Sequence, residues 1–342
     1  MTKTILATGG AGYIGSHVVL ELLASGYKVV VFDNLSNSSA KSIERVGRLS
    51  NGAPVLVEGD IRDGAALDSV FETHNIDAVI HLAGLKAVGE SVSHPERYYD
   101  VNVAGSANLF AAMRRHDVAR TVFSSSATVY GNASQMPMDE ATPTAPVNPY
   151  GATKLMIEQM LTDITSSAPD WRSLVLRYFN PVGAHHSGSI GEDPTGTPEN
   201  LFPFMAKVST GELEKLKIFG DDYPTPDGTA IRDYIHVMDL AQGHVKAVEY
   251  LLGGGSRANK TPVVNLGTGV GSSVNEVVAA WSAASGKPLP TQVAPRREGD
   301  VSEYCADVRF AKQLLGWETK FELAKMCEDH WRWQANNPKG YR

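Results

Sequence analysis

Cysteine is scarce in this chain of 342 residues, which contains only Cys305 and Cys327. The sequence has no Cys-x-x-Cys pair and no cluster of cysteine with histidine. Two isolated cysteines do not make a disulfide framework, and they give no ligand set for structural zinc. We therefore expect no metal site, and this cysteine usage suits a reducing compartment such as the cytoplasm.

Long apolar runs are also missing. A membrane-spanning helix needs about 20 consecutive apolar residues, whereas the first apolar run of this chain is interrupted by Gly9 after a handful of residues. The sequence therefore predicts neither a signal peptide nor a membrane span.

Basic residues are not in excess either. The chain has 31 Lys and Arg against 38 Asp and Glu, which gives a net charge of −7. Nucleic-acid binding requires a basic face, so we predict no nucleic-acid partner. A small anionic substrate is compatible with this charge, because a few well-placed arginines set the local field.

The composition that is present, 42% apolar and 20% charged residues, is ordinary for a globular protein. Short apolar runs alternate with helical patterns through the first half of the chain. Strands are predicted at 3–8, 28–32, 54–58, 78–82, 120–124 and 173–178. Helices are predicted at 12–25, 64–74, 95–115 and 149–166.

This alternation predicts βαβ units and an α/β fold: a Rossmann-type, doubly wound parallel sheet with a smaller α/β C-terminal lobe. We assign residues 1–180 to a dinucleotide-binding domain and residues 181–342 to a substrate-binding lobe. Segments near 235–266, including an apolar run at 262–266, are expected to return to the first sheet. Ligands are then expected along the edge where the strands end.

A glycine-rich turn follows the first predicted strand. Gly9, Gly12 and Gly15 have the spacing GxxGxxG, and Asp33 ends the second strand. Glycine allows close approach of a pyrophosphate to the N-terminus of the next helix. A carboxylate at Asp33 can accept hydrogen bonds from ribose hydroxyls and repels a 2′-phosphate, which favours NAD over NADP. Taken alone, either feature is also compatible with an ordinary turn.

Other positions at the same edge are further candidates for contact with NAD. They belong to the glycine turn or follow the second, third and fourth strands, and ordinary strand-end turns are the alternative interpretation for each. The candidates are Tyr13, Ile14, Asn34, Asp60, Ile61, Leu82, Ala83 and Gly84.

Three residues form a candidate catalytic group. Tyr150 and Lys154 lie one turn apart at the start of a predicted helix, and Ser126 ends the fifth strand. A phenol has a pKa near 10, so a phenolate at pH 7 requires roughly three pKa units of stabilisation, about 4 kcal/mol. The Lys154 ammonium and a positive nicotinamide ring both favour the phenolate. We predict that Tyr150 removes a proton from a substrate hydroxyl oriented by Ser126.

Together, the glycine turn, Ser126 and Tyr150-xxx-Lys154 resemble the extended short-chain dehydrogenase/reductase superfamily. Longer segments resemble one family within it, the UDP-glucose (UDP-galactose) 4-epimerases. These segments are 84–91, 177–184, 232–237 and 294–300. The resemblance covers nearly the whole chain.

The resemblance implies an isomerase that interconverts UDP-glucose and UDP-galactose. By this resemblance, Tyr150 would deprotonate the 4-hydroxyl while a hydride passes to tightly bound NAD, giving a transient 4-keto sugar. The keto sugar would then rotate in the pocket, and the hydride would return to its opposite face. The resemblance also implies a homodimer.

The same resemblance implies which residues hold each ligand. Lys86, Asn102 and Phe179 would contact the cofactor, although the family often carries Asn where this chain has Val101. A bulky Tyr304 would leave little room for an N-acetyl group. The implied substrate-binding residues are Ser126, Asn180, Asn200, Leu201, Lys217, Ile218, Phe219, Arg232, Arg297, Asp300 and Tyr304.

Alternative functions remain on the same fold. A nucleotide-sugar dehydratase carries an Asp-Glu pair after the Ser/Thr of the fifth-strand loop, where this chain has the stretch Thr128-Val129-Tyr130, with no carboxylate. A one-way dehydrogenase would accumulate free NADH. A non-catalytic NAD-sensing protein typically lacks the Tyr/Lys pair that this chain keeps.

Overall fold

A parallel sheet forms the centre of the molecule. The computed structural model describes residues 2–194, 198, 200–255, 260–297 and 300–342. Its strands, in chain order, are β1 (Thr4–Thr8), β2 (Lys28–Asp33), β3 (Val55–Glu58), β4 (Ala78–His81), β5 (Arg120–Ser126), β6 (Arg172–Tyr178), β7 (Asn180–Val182), β8 (Leu216–Phe219), β9 (Ile231–His236), β10 (Val263–Leu266), β11 (Gly271–Ser273), β12 (Thr291–Ala294) and β13 (Glu303–Tyr304).

Helices follow most of these strands. In chain order they are α1 (Tyr13–Ala24), α2 (Ala40–Leu49), α3 (Gly64–Thr73), α4 (Val88–Ser93), α5 (Pro95–Tyr98), α6 (Gly105–Arg115), α7 (Pro149–Ser167), α8 (Leu201–Ser209), α9 (Val237–Leu252), α10 (Val274–Ser285), α11 (Arg309–Leu315) and α12 (Leu323–Asn336). A π-helix, Tyr99–Ala104, joins α5 to α6, and a 3₁₀ turn, Ala127–Tyr130, follows β5. Within the described ranges, no helix combines the length and apolarity that crossing a membrane requires.

The central sheet has the order β10-β6-β5-β4-β1-β2-β3, with every neighbouring pair parallel. This is the doubly wound arrangement, in which strand order reverses between β1 and β4 and leaves a crevice at their carboxyl ends. The apolar runs of β1 and β4 are buried on both faces because helices cover the sheet from both sides. The predicted α/β fold class is confirmed.

Two apolar clusters pack on the two faces of this sheet. One contains α1 and α9 side chains such as Val18 and Val245. The other contains side chains of α3, α6 and α7 such as Leu67, Leu109 and Ile157. Both α9 and β10 come from the second half of the chain: β10 pairs parallel with β6, and α9 packs in the same cluster as α1.

The smaller layer is built around β9. Strands β7 and β13 pair parallel with β9, β11 pairs antiparallel with it, and β8 pairs parallel with β12. Helices α8, α10 and α12 enclose a separate core around Phe202, Trp281 and Met326. This layer rises beside the carboxyl edge of the central sheet, so the two layers form the walls of a cleft.

Candidate active site

A cleft of about 880 Å³ lies at the carboxyl edge of the central sheet. Its floor contains the residues that follow β1, β2, β4 and β5, and its other wall contains residues of the smaller layer. The crevice at a reversal of strand order is where open α/β sheets bind their ligands. The volume is sufficient for a large organic ligand.

The glycine turn fits close contact with a dinucleotide pyrophosphate. Gly9 has φ 71°, and a Cβ at this position would lie 2.6 Å from the backbone nitrogen of Ala83. A Cβ at Gly15 would lie 2.3 Å from the Gly9 carbonyl oxygen. Gly12 is the N-cap of α1 and provides no side chain to cap its first amides. Those amides and the helix dipole are therefore available to an anionic group.

Asp33 lies in the same cleft with a buried carboxylate. Its Oδ2 accepts a hydrogen bond from the Ala11 amide at 3.0 Å. Its Oδ1 accepts from the Leu35 amide at 2.9 Å and from Ser38 Oγ at 2.8 Å. These bonds fix the carboxylate beside the glycine turn, at the end of β2.

Asn34, Asp60 and Ile61 also line the cleft beyond β2 and β3. Asn34 Nδ2 donates to Asp60 Oδ2 at 2.9 Å, so the two strand ends are tied together. Hydrogen bonds from Arg62 lower the pKa of Asp60 well below its usual range, which keeps this side chain a carboxylate.

The loop after β4 passes across the cleft. Tyr13, Ile14, Leu82, Ala83, Gly84 and Lys86, all predicted from the sequence, lie in the lining. Gly84 has φ 155°, which a residue with a side chain rarely adopts.

Asn102 does not lie in the cleft lining, although the sequence analysis placed it against the cofactor. Its amide is 1% exposed and is occupied by protein groups. Nδ2 donates to the Leu85 carbonyl at 3.1 Å and to Thr153 Oγ1 at 3.0 Å, and Oδ1 accepts from the Leu85 amide at 2.8 Å. Asn102 therefore ties the loop after β4 to α7, and its neighbour Val101 lines the cleft.

Tyr150, Lys154 and Ser126 meet in the cleft. Asn148 begins α7, its Oδ1 accepting from the Gly151 amide at 2.8 Å, with Pro149 in the first turn. Lys154 Nζ donates to the Ser124 carbonyl at 2.9 Å and lies 5.9 Å from the centre of the Tyr150 ring. Ser126 Oγ accepts from Thr128 Oγ1 at 3.0 Å, at the end of β5.

Burial controls the protonation of this group in the protein alone. It raises the pKa of Tyr150, while a hydrogen bond with Ser126 works in the opposite direction. Burial also lowers the pKa of Lys154 to about 8, opposed by the Glu158 carboxylate. The positive charges of Lys154 and of a bound cofactor would act against the effect of burial on Tyr150 and favour the phenolate.

Several predicted substrate residues form the other wall of the cleft. Phe179 and Tyr304 have ring centres 5.7 Å apart, and the Tyr304 hydroxyl donates to the Ala127 carbonyl at 2.5 Å. Arg232 Nη2 forms an ion pair with Asp300 Oδ1 at 3.1 Å. Asn180, Asn200, Arg232 and Asp300 also line the cleft.

Five predicted substrate residues lie outside this lining. The Arg297 guanidinium stacks on the Phe219 ring, with its carbon 3.9 Å from the ring centre. On the same strand, Lys217 is exposed and Ile218 is buried, while Leu201 is half-buried in α8. The register of β12 with β8 pairs Ala294 with Phe219, three residues before Arg297.

Sequence reasoning missed Glu192. This side chain lines the cleft, is 6% exposed and bonds both Lys86 and Asn200. It lies in an irregular Gly- and Pro-rich segment, where no periodicity or motif marks it. No group of three or more His, Cys, Asp or Glu residues suited to a metal ion occurs among the residues that the structure describes.

The sequence is similar to a family model and to individual relatives over nearly its full length. A family model described as GDP-mannose 4,6 dehydratase matches residues 6–330. A UDP-glucose 4-epimerase of Yersinia pestis is 54% identical over 338 residues, which cover 98% of this chain and 99% of the relative. A UDP-glucose 4-epimerase of Bacillus subtilis is 53% identical over 338 residues, with 99% and 98% covered.

Solved structures agree with the sequence comparison. The fold matches UDP-glucose 4-epimerase from Bifidobacterium longum in complex with NAD+ and UDP, with a TM-score of 0.93 and 48% identity over 99% of this chain and 100% of the other. A UDP-glucose 4-epimerase from Stenotrophomonas maltophila with bound NAD has a TM-score of 0.95 and 47% identity, with 98% and 99% covered. The full-length relatives thus carry an epimerase name, whereas the family model has a dehydratase description.

Proposed function

The chain belongs to the UDP-glucose 4-epimerases of the extended short-chain dehydrogenase/reductase superfamily, and we infer that it is an isomerase that interconverts UDP-glucose and UDP-galactose with NAD as its cofactor. The observation that carries this inference is the meeting of Tyr150, Lys154 and Ser126 with the glycine turn in one cleft. An alcohol held there would face both a proton acceptor and a cofactor.

We propose that Tyr150 takes the proton of the sugar 4-hydroxyl and later returns it to the same oxygen, once the hydride has been added to the opposite face of the sugar carbon. Bound NAD would supply the redox chemistry as the acceptor and then the donor of a hydride. Lys154 stabilises the phenolate by charge, and Ser126 orients the hydroxyl. Because the cofactor is restored in each cycle, the net reaction is an isomerisation.

Epimerisation requires a sugar that can turn over while its nucleotide stays bound. We propose that Arg232 and Arg297 hold the diphosphate, since a guanidinium fork suits phosphate oxygens. Asn200, Leu201, Lys217, Ile218, Phe219 and Asp300 would then surround the nucleotide. Asn180 and Phe179 would lie near the sugar, where weak contacts leave room for rotation.

The dehydratase description of the family model gives a second candidate function. A dehydratase needs acid and base groups to eliminate water, but the turn Ala127–Tyr130 next to Ser126 carries no carboxylate. This local chemistry and the names of the half-identical relatives both favour epimerisation.

The decisive experiment incubates purified protein with UDP-galactose and no added cofactor. We expect UDP-glucose to appear on chromatography without net NADH. Net NADH would indicate a one-way dehydrogenase, and a 4-keto-6-deoxy sugar nucleotide would indicate a dehydratase.

Tyr304 is proposed to limit the size of the sugar. Its ring packs beside Phe179 and its hydroxyl is anchored on Ala127, so it cannot easily move aside. Tyr304→Cys removes this bulk, and we expect kcat/KM for UDP-N-acetylglucosamine to rise relative to UDP-glucose by at least tenfold. An unchanged ratio of the two kcat/KM values would remove Tyr304 from this role.

The remaining proposals concern the whole protein. Helices α4 and α7 and the π-helix carry the exposed apolar residues Val88, Val92, Tyr99 and Met156, which favours burial in a homodimer. The two cysteines are buried free thiols, which supports a cytoplasmic location.

We also propose that residues 1–180, with 235–266, form the cofactor domain and that the rest of 181–342 forms the substrate lobe.

A further inference from the structure

A buried carboxylate bridges the two walls of the cleft. Glu192 Oε1 accepts from Lys86 Nζ at 3.1 Å and from Asn200 Nδ2 at 3.3 Å. Lys86 belongs to the loop after β4, on the cofactor side, and Asn200 is the N-cap residue of α8, on the substrate side. A single carboxylate oxygen of Glu192 therefore accepts hydrogen bonds from both walls of the cleft.

The position of Glu192 is fixed by its neighbours. Its backbone carbonyl accepts from Trp333 Nε1 at 3.0 Å, and the Gly191 amide donates to the Tyr341 hydroxyl at 3.2 Å. Trp333 and Tyr341 are themselves buried and pack on each other. The carboxylate is thus held by the backbone and does not simply follow the half-exposed Lys86 side chain.

Glu192 also changes what Asn200 does. Asparagine at an N-cap usually accepts a hydrogen bond from its own helix, but the Asn200 side chain makes no such bond and donates to Glu192 instead. The first amides of α8 are therefore left without a side-chain cap. An uncapped helix N-terminus attracts an anionic group.

A carboxylate in a cleft that receives two diphosphates is unfavourable by charge alone, because it repels them. It becomes favourable if it holds their donors in place. We propose that Glu192 is a positioning residue of the epimerase, which orients Lys86 toward the cofactor and Asn200 toward the substrate and keeps the N-terminus of α8 open for the substrate diphosphate. This inference rests on the proposed function of the cleft.

The direction in which the Kd for UDP changes when Glu192 is replaced distinguishes a positioning role of this residue from charge repulsion. We would measure the Kd for UDP by calorimetry on the NAD-loaded protein, with Glu192→Ala and Glu192→Gln. Positioning predicts weaker UDP binding, by about tenfold for Ala and less for Gln, because Gln keeps an acceptor oxygen. It also predicts a raised KM with kcat within threefold. If charge repulsion dominated, both variants would bind UDP more tightly, and that result would overturn the proposal.

A double variant tests whether Glu192 acts through its partners. In a Lys86→Met/Asn200→Ala background, Glu192→Gln should change the Kd for UDP by less than twofold. An undiminished effect there, or no effect in the original protein, would also overturn the proposal. Glu318→Gln is the matched control, because Glu318 pairs with Lys312 at 2.8 Å on the surface and should leave UDP binding unchanged.

These outcomes are separable from the proposed function. UDP binding needs no turnover, and the epimerase activity of the unaltered protein is measured independently. Active protein with unaffected Glu192 variants would refute only the positioning role.

Discussion

Tyr150 has to be an acid at rest and a base in the reaction. Burial raises its pKa in the protein alone, so the charges that arrive beside it must supply more than the roughly 4 kcal/mol that separate a pKa near 10 from neutrality. Lys154 supplies one such charge from α7, and the cofactor is expected to supply the other. Proton transfer is thereby coupled to an occupied cofactor site.

Replacing Tyr150 by Phe removes the proton acceptor and keeps the ring. We expect kcat for UDP-galactose to fall on the order of 10² to 10⁴, with the thermal unfolding midpoint changed little. The control is Tyr27→Phe, which changes a half-buried tyrosine in the turn between α1 and β2 and should leave kcat intact. A loss below tenfold in Tyr150→Phe would assign the base to another residue.

Lys154 predicts an alkaline limit on activity. Burial lowers the pKa of Lys154 to about 8, so the ammonium that favours phenolate is lost as pH rises through that value. We expect kcat/KM to fall above pH 8 in the unaltered protein. Lys154→Met should be much less active, and its kcat/KM should not show this fall between pH 7 and 9, since no titrating ammonium remains. The same fall in kcat/KM in Lys154→Met would show that another group causes it.

At the scale of elements, the π-helix Tyr99–Ala104 connects the cofactor side to the catalytic helix. Asn102 is buried in it, and its amide bonds Leu85 in the loop after β4 and Thr153, the residue before Lys154. A widened turn of this kind is frequent near functional sites. It fixes the loop and α7 relative to each other.

Asn102→Ala should loosen that connection. The partly buried Leu85 amide and carbonyl would lose their partner, which costs about 1–3 kcal/mol in unfolding free energy where such groups are shielded from water. We expect a lower denaturation midpoint together with faster loss of NAD on dilution, measured as released NAD by its absorbance after ultrafiltration. Asn108→Ala in α6, where the amide bonds the exposed Arg62 carbonyl, is the control and should keep NAD. Full retention by Asn102→Ala would show that the tie is dispensable.

The same elements show what the sequence could predict and why. Strands such as β1 and β4 are continuous apolar runs between turns, so their positions were predicted to within one residue. Helix α2 was not predicted, and neither was the π-helix, which lies inside the predicted helix 95–115. Nothing in the sequence marks the widened turn, and it is this turn that directs Val101 to the cleft and Asn102 to the interior.

The site residues also divide into those that a sequence motif marks and those that only the folded structure identifies. Tyr150, Lys154 and the glycine turn lie in motifs with fixed spacing, and the fold brings them together. Glu192 has meaning only through its contacts with Lys86, 106 positions away in the sequence, and with Asn200, 8 positions away. Such a relation depends on the packing of two layers and leaves no local pattern.

At the scale of the whole molecule, five histidines are kept neutral by burial. Burial lowers the pKa of His17 and His81 to about 3, and that of His185, His244 and His330 to about 4. Hydrogen bonds hold several of them in one tautomer: His244 Nδ1 bonds the Leu240 carbonyl at 2.8 Å and its Nε2 bonds Ser124 Oγ at 2.7 Å.

The low pKa values of these histidines predict that the folded protein loses stability in mild acid. Their folded pKa values lie below the unfolded value near 6.5, so between pH 6.5 and about 4 the unfolded chain binds protons that the folded chain does not. Stability is therefore present above pH 6.5 and falls as pH decreases, by about 1.4 kcal/mol per histidine between pH 7.5 and 5.5. Urea unfolding at the two pH values measures this loss. His244→Gln should reduce it by about 1.4 kcal/mol, whereas His94→Gln, on an exposed histidine, should leave it unchanged. Equal losses in the His244→Gln variant and the unaltered protein would mean that His244 gains its proton without unfolding.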